Sequence, residues 1–302
     1  MDKNIFKLTH LKELCQQYNF SPSKQYGQNF LVNLGIVEKI VKAAELNMDD
    51  LVIEVGPGFG VLTFALAEQV NKVFAVEIER KLEKYWVENK PSNVEIIWGN
   101  ALRKLPVISY QLSTDVSTKS PFIDHGSLIT DHQSYKIIAN LPYQITSQIL
   151  RAILELPNKP SLIVVMVQKE VARRICAEPG EMSLLAVSVQ YYGQPEIVDF
   201  VTKGNFWPAP KVDSAILRVR LLPPHPRAPL LGQERGDEEQ FFKFARAGFA
   251  QKRKQLWRNL SEGLKLDKEK VKTVIREVMG DEKVRAEELV VEEWKRIIHS
   301  LD

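Results

Sequence analysis

Near-continuous apolar runs, separated by amphipathic stretches, organise the first two-thirds of the chain. LVIEV (51–55), KVFAVE (72–77), VEIIW (94–98), YKIIAN (135–140) and SLIVVMV (161–167) are rich in Val and Ile. They lack polar alternation, so they read as strands covered on both faces, as in a parallel sheet. Segments at helical spacing lie between most of them: VLTFALAEQ, RKLEKYWVENK, SQILRAILEL and KEVARRICA. Strand and helix in alternation predict a doubly wound, Rossmann-like α/β domain with right-handed crossovers. Residues 5–18 and LGIVEKIVKAAELN predict helices ahead of this array, with SPSKQYGQNFLVN (21–33) as a loop between them. EIVDFVT and SAILRVRLL have no helix between them and predict an antiparallel hairpin at the sheet edge.

Two stretches break the pattern. Ser, Thr and Asp dominate 107–134, which predicts a long surface-loop insertion. LLPPHPRAPLLGQERGDEEQ (221–240) carries prolines and then an acidic cluster, the composition of a linker. Beyond it, FFKFARAGFAQKRKQLWRNLSEG, DKEKVKTVIREVM and VEEWKRIIHSL predict a small all-helical domain. The division expected is therefore 1–222, a linker at 223–240, and 241–302.

Composition narrows this picture little. The 302 residues are 44% hydrophobic, enough for a large core plus a smaller one. Charged residues are 26% with a net charge of +3, so an argument for nucleic acid must rest on local clusters. Cys15 and Cys176 have no CxxC partner, which argues against a disulfide framework or zinc site and fits a reducing compartment. The N-terminus lacks an apolar signal core, and no apolar run reaches the about 18 residues of a membrane span. The expectation is a soluble, cytoplasmic monomer with no membrane partner.

EVGPGFG (54–60) ends the first strand of the array and opens a helix. Gly56, Gly58 and Gly60 permit a tight turn and close approach of the backbone to a ligand. A dinucleotide fingerprint wants glycine at 61, where Val61 stands, and a P-loop wants a GK[ST] ending that is missing. Glu77 ends the next strand, where a carboxylate suits a ribose hydroxyl pair. Together these features suggest an adenosine-containing ligand without a pyrophosphate, with S-adenosylmethionine the leading candidate. Glu54 reads equally as a loop cap or a ligand contact. Asn100, after VEIIW, falls at the same sheet edge and reads as an adenine contact or as a turn residue after Gly99.

IANLPY (138–143) ends a strand in an amide, a proline and a ring, none of them a base at neutral pH. Asn140 offers an acceptor oxygen, Pro142 stiffens the turn, and Tyr143 offers a ring face. Two acceptors and a ring suit a planar exocyclic amine such as N6 of adenine. Accepting both amine hydrogens draws the nitrogen toward tetrahedral geometry and aims its lone pair at an electrophilic methyl group. NFWPAPKVDSA (205–215) adds a second aromatic pair. Phe206 or Trp207 could cap the other face of an extruded base, with Phe206 favoured over packing in the core. Lys243, Arg246, Lys252, Arg253, Lys254 and Arg258 cluster around Phe249 and Trp257, and helical spacing would place several on one phosphate-gripping face. Arg173 and Arg174 are weaker candidates.

The motifs in order resemble the small-subunit ribosomal RNA adenine N6,N6-dimethyltransferases from about residue 21 onward. QYGQNFL looks like the family's N-terminal signature, EVGPGFGVLT its first cofactor motif and VFAVEIE its ribose motif. NLPY looks like its catalytic motif and FWPAPKVDSA its post-catalytic motif. The resemblance implies that Asn29 and Leu31 line the cofactor site, that the Gly56–Gly58 loop approaches the methionine part, and that Glu77 holds the ribose. It implies an adenine contact at Asn100, where the family usually has an aspartate, and places Asn140 beside both cofactor and target. Asn140 with the Leu141 and Pro142 carbonyls would orient the target amine, and Tyr143 and Phe206 would sandwich the base. The implied partner is small-subunit rRNA in an immature small subunit, gripped through Lys252, Arg253, Lys254 and Arg258. The implied reaction is two methyl transfers to each of two adjacent adenosines in a hairpin near the 3′ end. A large-subunit rRNA methyltransferase giving antibiotic resistance, a non-catalytic nucleic-acid-binding relative and a nicotinamide oxidoreductase are the competing readings. The basic C-terminal helices lean against the first, the intact NLPY against the second, and Val61 against the third.

Overall fold

The computed structural model describes residues 7–23, 26–113, 134–222 and 233–301. Contacts divide the chain into two compact units. One comprises residues 1–172 and 196–221, the other 173–195 and 222–302.

The first unit is built on a sheet of β2 (Leu51–Val55), β3 (Lys72–Glu77), β4 (Val94–Trp98), β5 (Tyr135–Asn140), β6 (Leu162–Gln168), β7 (Gly193–Val201) and β9 (Ser214–Leu221). Its strand order is β4-β3-β2-β5-β6-β9-β7. The first five are parallel, and β9 runs antiparallel to β6 with Met166 opposite Ile216. Every residue of β2 is buried, the Glu54 carboxyl included. The chain runs outward from β2 to β3 and β4, then returns to β5 on the other flank. The carboxyl ends of β2 and β5 therefore frame a topological switch point, where open α/β sheets leave a crevice for ligands.

α2 (Leu34–Ala43), α3 (Val61–Ala67), α4 (Glu83–Asn89), α5 (Ala101–Ser113) and α6 (Thr146–Leu154) accompany these strands, and α7 (Lys169–Ile175) follows β6. In α6, Ile149, Leu150, Ile153 and Leu154 are buried along one stripe, each contributing about 1.5–3 kcal/mol of burial. Behind the loop after β2, α1 (Leu8–Gln17) sets Leu11, Leu14 and Cys15 into an aromatic cluster with Phe20, Phe30, Phe59, Tyr85 and Trp86. Two short strands, β1 (Phe30–Leu31) and β8 (Phe206–Trp207), pair antiparallel as a separate ribbon.

The second unit gathers α8 (Leu184–Tyr192), α9 (Gln233–Gly248), α10 (Leu256–Leu264), α11 (Lys268–Met279) and α12 (Val291–Leu301) around Trp294, Leu256, Leu260 and Ile275. No helix among the described residues is long and apolar enough to cross a membrane.

Four sequence expectations are corrected here. Residues 107–113 are not loop: they continue α5, because Leu105, Ile108, Ser109 and Leu112 form a buried stripe. The remainder of that expected insertion, 114–133, lies outside the described residues, as does 223–232 of the expected linker. Residues 233–240 are helix, the start of α9, whose Phe241 and Phe244 anchor it in the second core. Residues 173–195, assigned to the first domain, cluster with the helical unit, since Met182, Ala186 and Val187 pack in the Trp294 core. The stretch from Phe241 to Gly263 is not one helix, because α9 stops at Gly248 and a turn intervenes. The Asn259 amide donates to the Gly248 carbonyl at 2.6 Å and to the Gln251 carbonyl at 3.0 Å, which holds that turn.

Candidate functional site

A cavity opens at the switch point, between the loop after β2 and the segment after β5. Asn29, Leu31, Gly56, Gly58, Glu77 and Asn100 line it, as do Asn140 and the Leu141-Pro142-Tyr143 turn. The sequence motifs at 26–31, 54–58, 77–78, 99–102 and 140–148 thus converge on one space.

The glycine loop is held from behind. Gly56, Gly58 and Gly60 all take positive φ. A Cβ on Gly58 would lie 2.7 Å from the Phe30 ring, whereas one on Gly56 would meet nothing within 4 Å. Gly56 therefore faces open space, and Gly58 is fixed against the aromatic cluster. The buried Tyr85 hydroxyl donates to the Phe59 carbonyl at 2.9 Å and fixes the loop's far side.

Two carboxyls lie under the loop. Glu77 accepts from the Gly58 amide (3.1 Å) and the Glu79 amide (2.7 Å). Burial raises its pKa above the usual carboxylate range, although the Glu79 and Gly58 amides oppose the shift. Glu54 is buried, and burial pushes its carboxyl up to about 8; nearby Thr63 opposes that shift and the Glu77 charge adds to it. Glu54 Oε2 and Thr63 Oγ1 are buried without hydrogen-bond partners among the described residues. An unmatched carboxyl oxygen beside a cavity suits a ligand carrying positive charge or an N–H donor. The residues present therefore fit S-adenosylmethionine, whose positive charge Glu54 could meet and whose ribose needs an acceptor such as Glu77. The Asn100 side-chain oxygen accepts the Leu102 amide at 2.9 Å, capping α5, which uses one of its two lone pairs.

Asn140 is set by a contact the sequence gave no sign of. Its Nδ2 donates to the Asn29 carbonyl at 3.0 Å, which leaves Oδ1 as an acceptor at the cavity. Asn29 is itself held by Nδ2 donating to the Gly27 carbonyl at 3.1 Å. The Pro142 carbonyl departs from expectation. It accepts the Ile145 amide (3.2 Å) and the Thr146 hydroxyl (3.1 Å), so both lone pairs are used in closing the turn. The Leu141 carbonyl accepts no hydrogen bond among the described residues and is the backbone acceptor left to a ligand. The Tyr143 hydroxyl and Ser214 Oγ share a hydrogen bond, and burial raises the phenol's pKa.

Phe206 does not take the expected base-facing place. It is 3% exposed, pairs opposite Leu31 and packs in the core with Ile216 and Val201. Strand alternation turns its neighbour Trp207 to the other face.

The basic cluster of the second unit is also arranged differently from a helical face. Lys252, Arg253 and Lys254 lie in the turn between α9 and α10. Lys252 approaches Glu287 at 3.6 Å, Lys254 pairs with Glu262 at 2.9 Å, and Arg253 is exposed. Arg258 lies 5.0 Å from the Trp257 ring centre, and Lys268 and Lys272 approach the same ring at 5.0 and 4.7 Å. Those two lysines join the cluster from a separate helix, which sequence spacing alone could not reveal. Among the described residues no cluster of His, Cys, Asp or Glu could hold a metal.

The model of the family described as "Ribosomal RNA adenine dimethylase" matches residues 19–302. A curated relative from Dehalococcoides mccartyi, "Ribosomal RNA small subunit methyltransferase A", is 39% identical over 292 residues, covering 96% of this chain and 92% of its own. A protein of the same name from Halothermothrix orenii is 38% identical over 307 residues, covering 100% of this chain and 95% of its own. Among solved structures, the 23S rRNA methyltransferase ErmE aligns with TM-score 0.64 and 25% identity over 91% of this chain and 100% of that one. A dimethyladenosine transferase from Plasmodium falciparum shares the fold at TM-score 0.64 and 23% identity, over 89% of this chain and 95% of that one. With a model match spanning both units and relatives aligned along almost the whole length, this chain belongs to the ribosomal RNA adenine dimethylase family.

Proposed function

We propose that the chain dimethylates N6 of two adjacent adenosines in a hairpin near the 3′ end of small-subunit ribosomal RNA, using S-adenosylmethionine. The observation that carries the chemistry is the fixed polarity of Asn140, an acceptor oxygen beside a glycine loop at the switch point. Small-subunit RNA is favoured over the large-subunit alternative because the relatives bearing the small-subunit name reach 39% identity, against 25% for the large-subunit enzyme.

When bound, S-adenosylmethionine supplies an electrophilic methyl group on a sulfonium. Gly56 would leave room for the donor's methionine portion, Glu77 would accept from its ribose hydroxyls, and Asn29, Leu31 and Asn100 would close the remaining walls. Asn140 Oδ1 and the Leu141 carbonyl each accept one hydrogen of the target amine. Pulling on both hydrogens moves lone-pair density out of the ring and onto nitrogen, which raises nucleophilicity as the transition state forms. The neutral amine needs no base before attack; positive charge that develops on nitrogen strengthens the N–H bond to Asn140 Oδ1, and the proton then passes to solvent. The Tyr143 ring offers a face to the base. After one transfer the amine keeps one hydrogen and its lone pair, so one of the two acceptors still orients it for a second.

RNA phosphates are gripped by Lys252, Arg253, Lys254 and Arg258 of the helical unit, which acts as the RNA-binding module of a monomer working on an immature small subunit. Lys268 and Lys272 extend that surface around Trp257. The test is mass mapping of adenosine methylation after immature small subunits, or naked large-subunit RNA as control, are incubated with enzyme and cofactor. Two dimethylated neighbours in the small-subunit hairpin are expected; modification of the large-subunit control alone would overturn the reading. Asn140→Ala should abolish transfer while leaving cofactor affinity within about threefold, as measured by calorimetry.

A further inference from the structure

Ser214 has no role in the chemistry above, yet it sits at the meeting point of two motifs. It is the first residue of β9, stands opposite Gln168 at the end of β6, and is fully buried. Its hydroxyl shares a hydrogen bond with Tyr143, 71 residues earlier in the chain. Tyr143 begins a 3₁₀ turn, Tyr143–Ile145, and its ring is part-buried at the cavity wall. The backbone at that ring's near end is fixed by the closed turn, with the Pro142 carbonyl bound by both the Ile145 amide and the Thr146 hydroxyl. The far end of the ring, the phenol oxygen, has Ser214 as its anchor.

A tyrosine held only through its Cα and Cβ keeps freedom in χ1 and χ2. Tethering the phenol oxygen to a buried hydroxyl on a rigid strand removes that freedom. We infer that Ser214 is a positioning residue that sets the plane of the Tyr143 ring against the target base. The inference rests on the reading that Tyr143 faces that base. It gives the post-catalytic segment a task that Phe206, turned into the core, does not perform here. The bond crosses from β9 to the segment after β5, so the sheet itself fixes the ring's tilt. A flat base slotted beside a ring of fixed tilt pays no further ordering cost on arrival, and the amine nitrogen then meets Asn140 Oδ1 at one distance only.

The experiment uses the full-length protein with Ser214→Ala, Tyr143→Phe, the double variant and Tyr143→Ala. Three readouts are taken: kcat and KM on the small-subunit hairpin, S-adenosylmethionine affinity, and fluorescence of a 2-aminopurine placed at the target adenosine. Ser214→Ala and Tyr143→Phe each break the same bond, one from the buried side and one from the cavity side. Each should lower kcat about tenfold, which corresponds to about 1.4 kcal/mol. The double variant should fall no further than either single. 2-Aminopurine quenching should weaken in all of them, and donor affinity should stay within twofold, which reports an intact fold. Wild-type kcat and quenching in Ser214→Ala would overturn the inference, as would multiplicative effects in the double variant. If Tyr143→Ala also left quenching unchanged, the base-facing reading of Tyr143 would fall with it. If Tyr143→Ala lost quenching while Ser214→Ala did not, only the positioning role of Ser214 would fall.

Discussion

Replacing Glu54 with glutamine removes a buried proton-binding site without changing shape, and the structure fixes what that does to stability. Glu54 is 1% exposed in the middle of β2, and its pKa stands at about 8 in the folded state. The unfolded value is about 4.3. A carboxyl whose folded pKa is raised favours the fold while protonated. That contribution is complete below the unfolded value and is lost as pH rises toward the folded one. Between those limits each pH unit costs about 1.4 kcal/mol. From pH 5.5 to 7.5, wild type should therefore lose about 2–3 kcal/mol relative to Glu54→Gln. The charged or polar groups facing Glu54 are Glu77 and Thr63, and neither is altered by the substitution. Hydrogen exchange of β2 and β3 amides at several pH values, in both proteins and without cofactor, isolates the first unit from the helical one. Curves that stay parallel across that range would refute the argument, since they would mean that Glu54 is already ionised in the fold.

Three further outcomes follow from contacts around the same sheet. Tyr85→Phe strands the Phe59 carbonyl and should cost about 1–3 kcal/mol, with a matching rise in donor Kd; denaturant midpoints and calorimetry check it. Gly58→Ala sets a Cβ 2.7 Å from the Phe30 ring at a φ of +58°, and should lose more than about 1 kcal/mol together with most donor binding. The Lys136 ammonium bridges Asp50 at 2.7 Å and the Glu45 carbonyl at 2.6 Å, with the Lys136 and Asp50 side chains mostly shielded; Lys136→Met should cost about 3 kcal/mol in thermal or urea unfolding, and Lys136→Met with Asp50→Asn should recover part of it.

Strands β2, β3, β4 and β5 were legible to the residue from their near-continuous Val and Ile runs, although β4, at the sheet edge, is only half-buried beyond Val94. The convergence of the glycine loop, Glu77, Asn100 and the 140–143 segment on one rim followed from their places at strand ends. What escaped the sequence depended on distant partners. The Ser, Thr and Asp content of the longer 107–134 stretch concealed the Leu105–Ile108–Leu112 stripe at its start, and the Ser109 hydroxyl is satisfied by the Asn158 carbonyl at 2.7 Å. The β1–β8 ribbon is two residues per strand, too short for any period to register, and it decides that Phe206 points inward. Which carbonyl of the Leu141–Pro142 pair stays open depended on Thr146, whose hydroxyl reaches back from the start of α6.

The bond from Asn140 to the Asn29 carbonyl also explains why an amide stands there in place of an acid. An aspartate would set a lone pair against that carbonyl and be repelled from the seat Asn140 holds. A glutamine would overshoot the seat by a methylene. An asparagine turned end for end would offer hydrogens to the incoming nitrogen and silence its lone pair. The segment around residue 29 therefore acts as a polarity key: by occupying one end of a symmetric-looking side chain, it dictates which end the nucleophile meets.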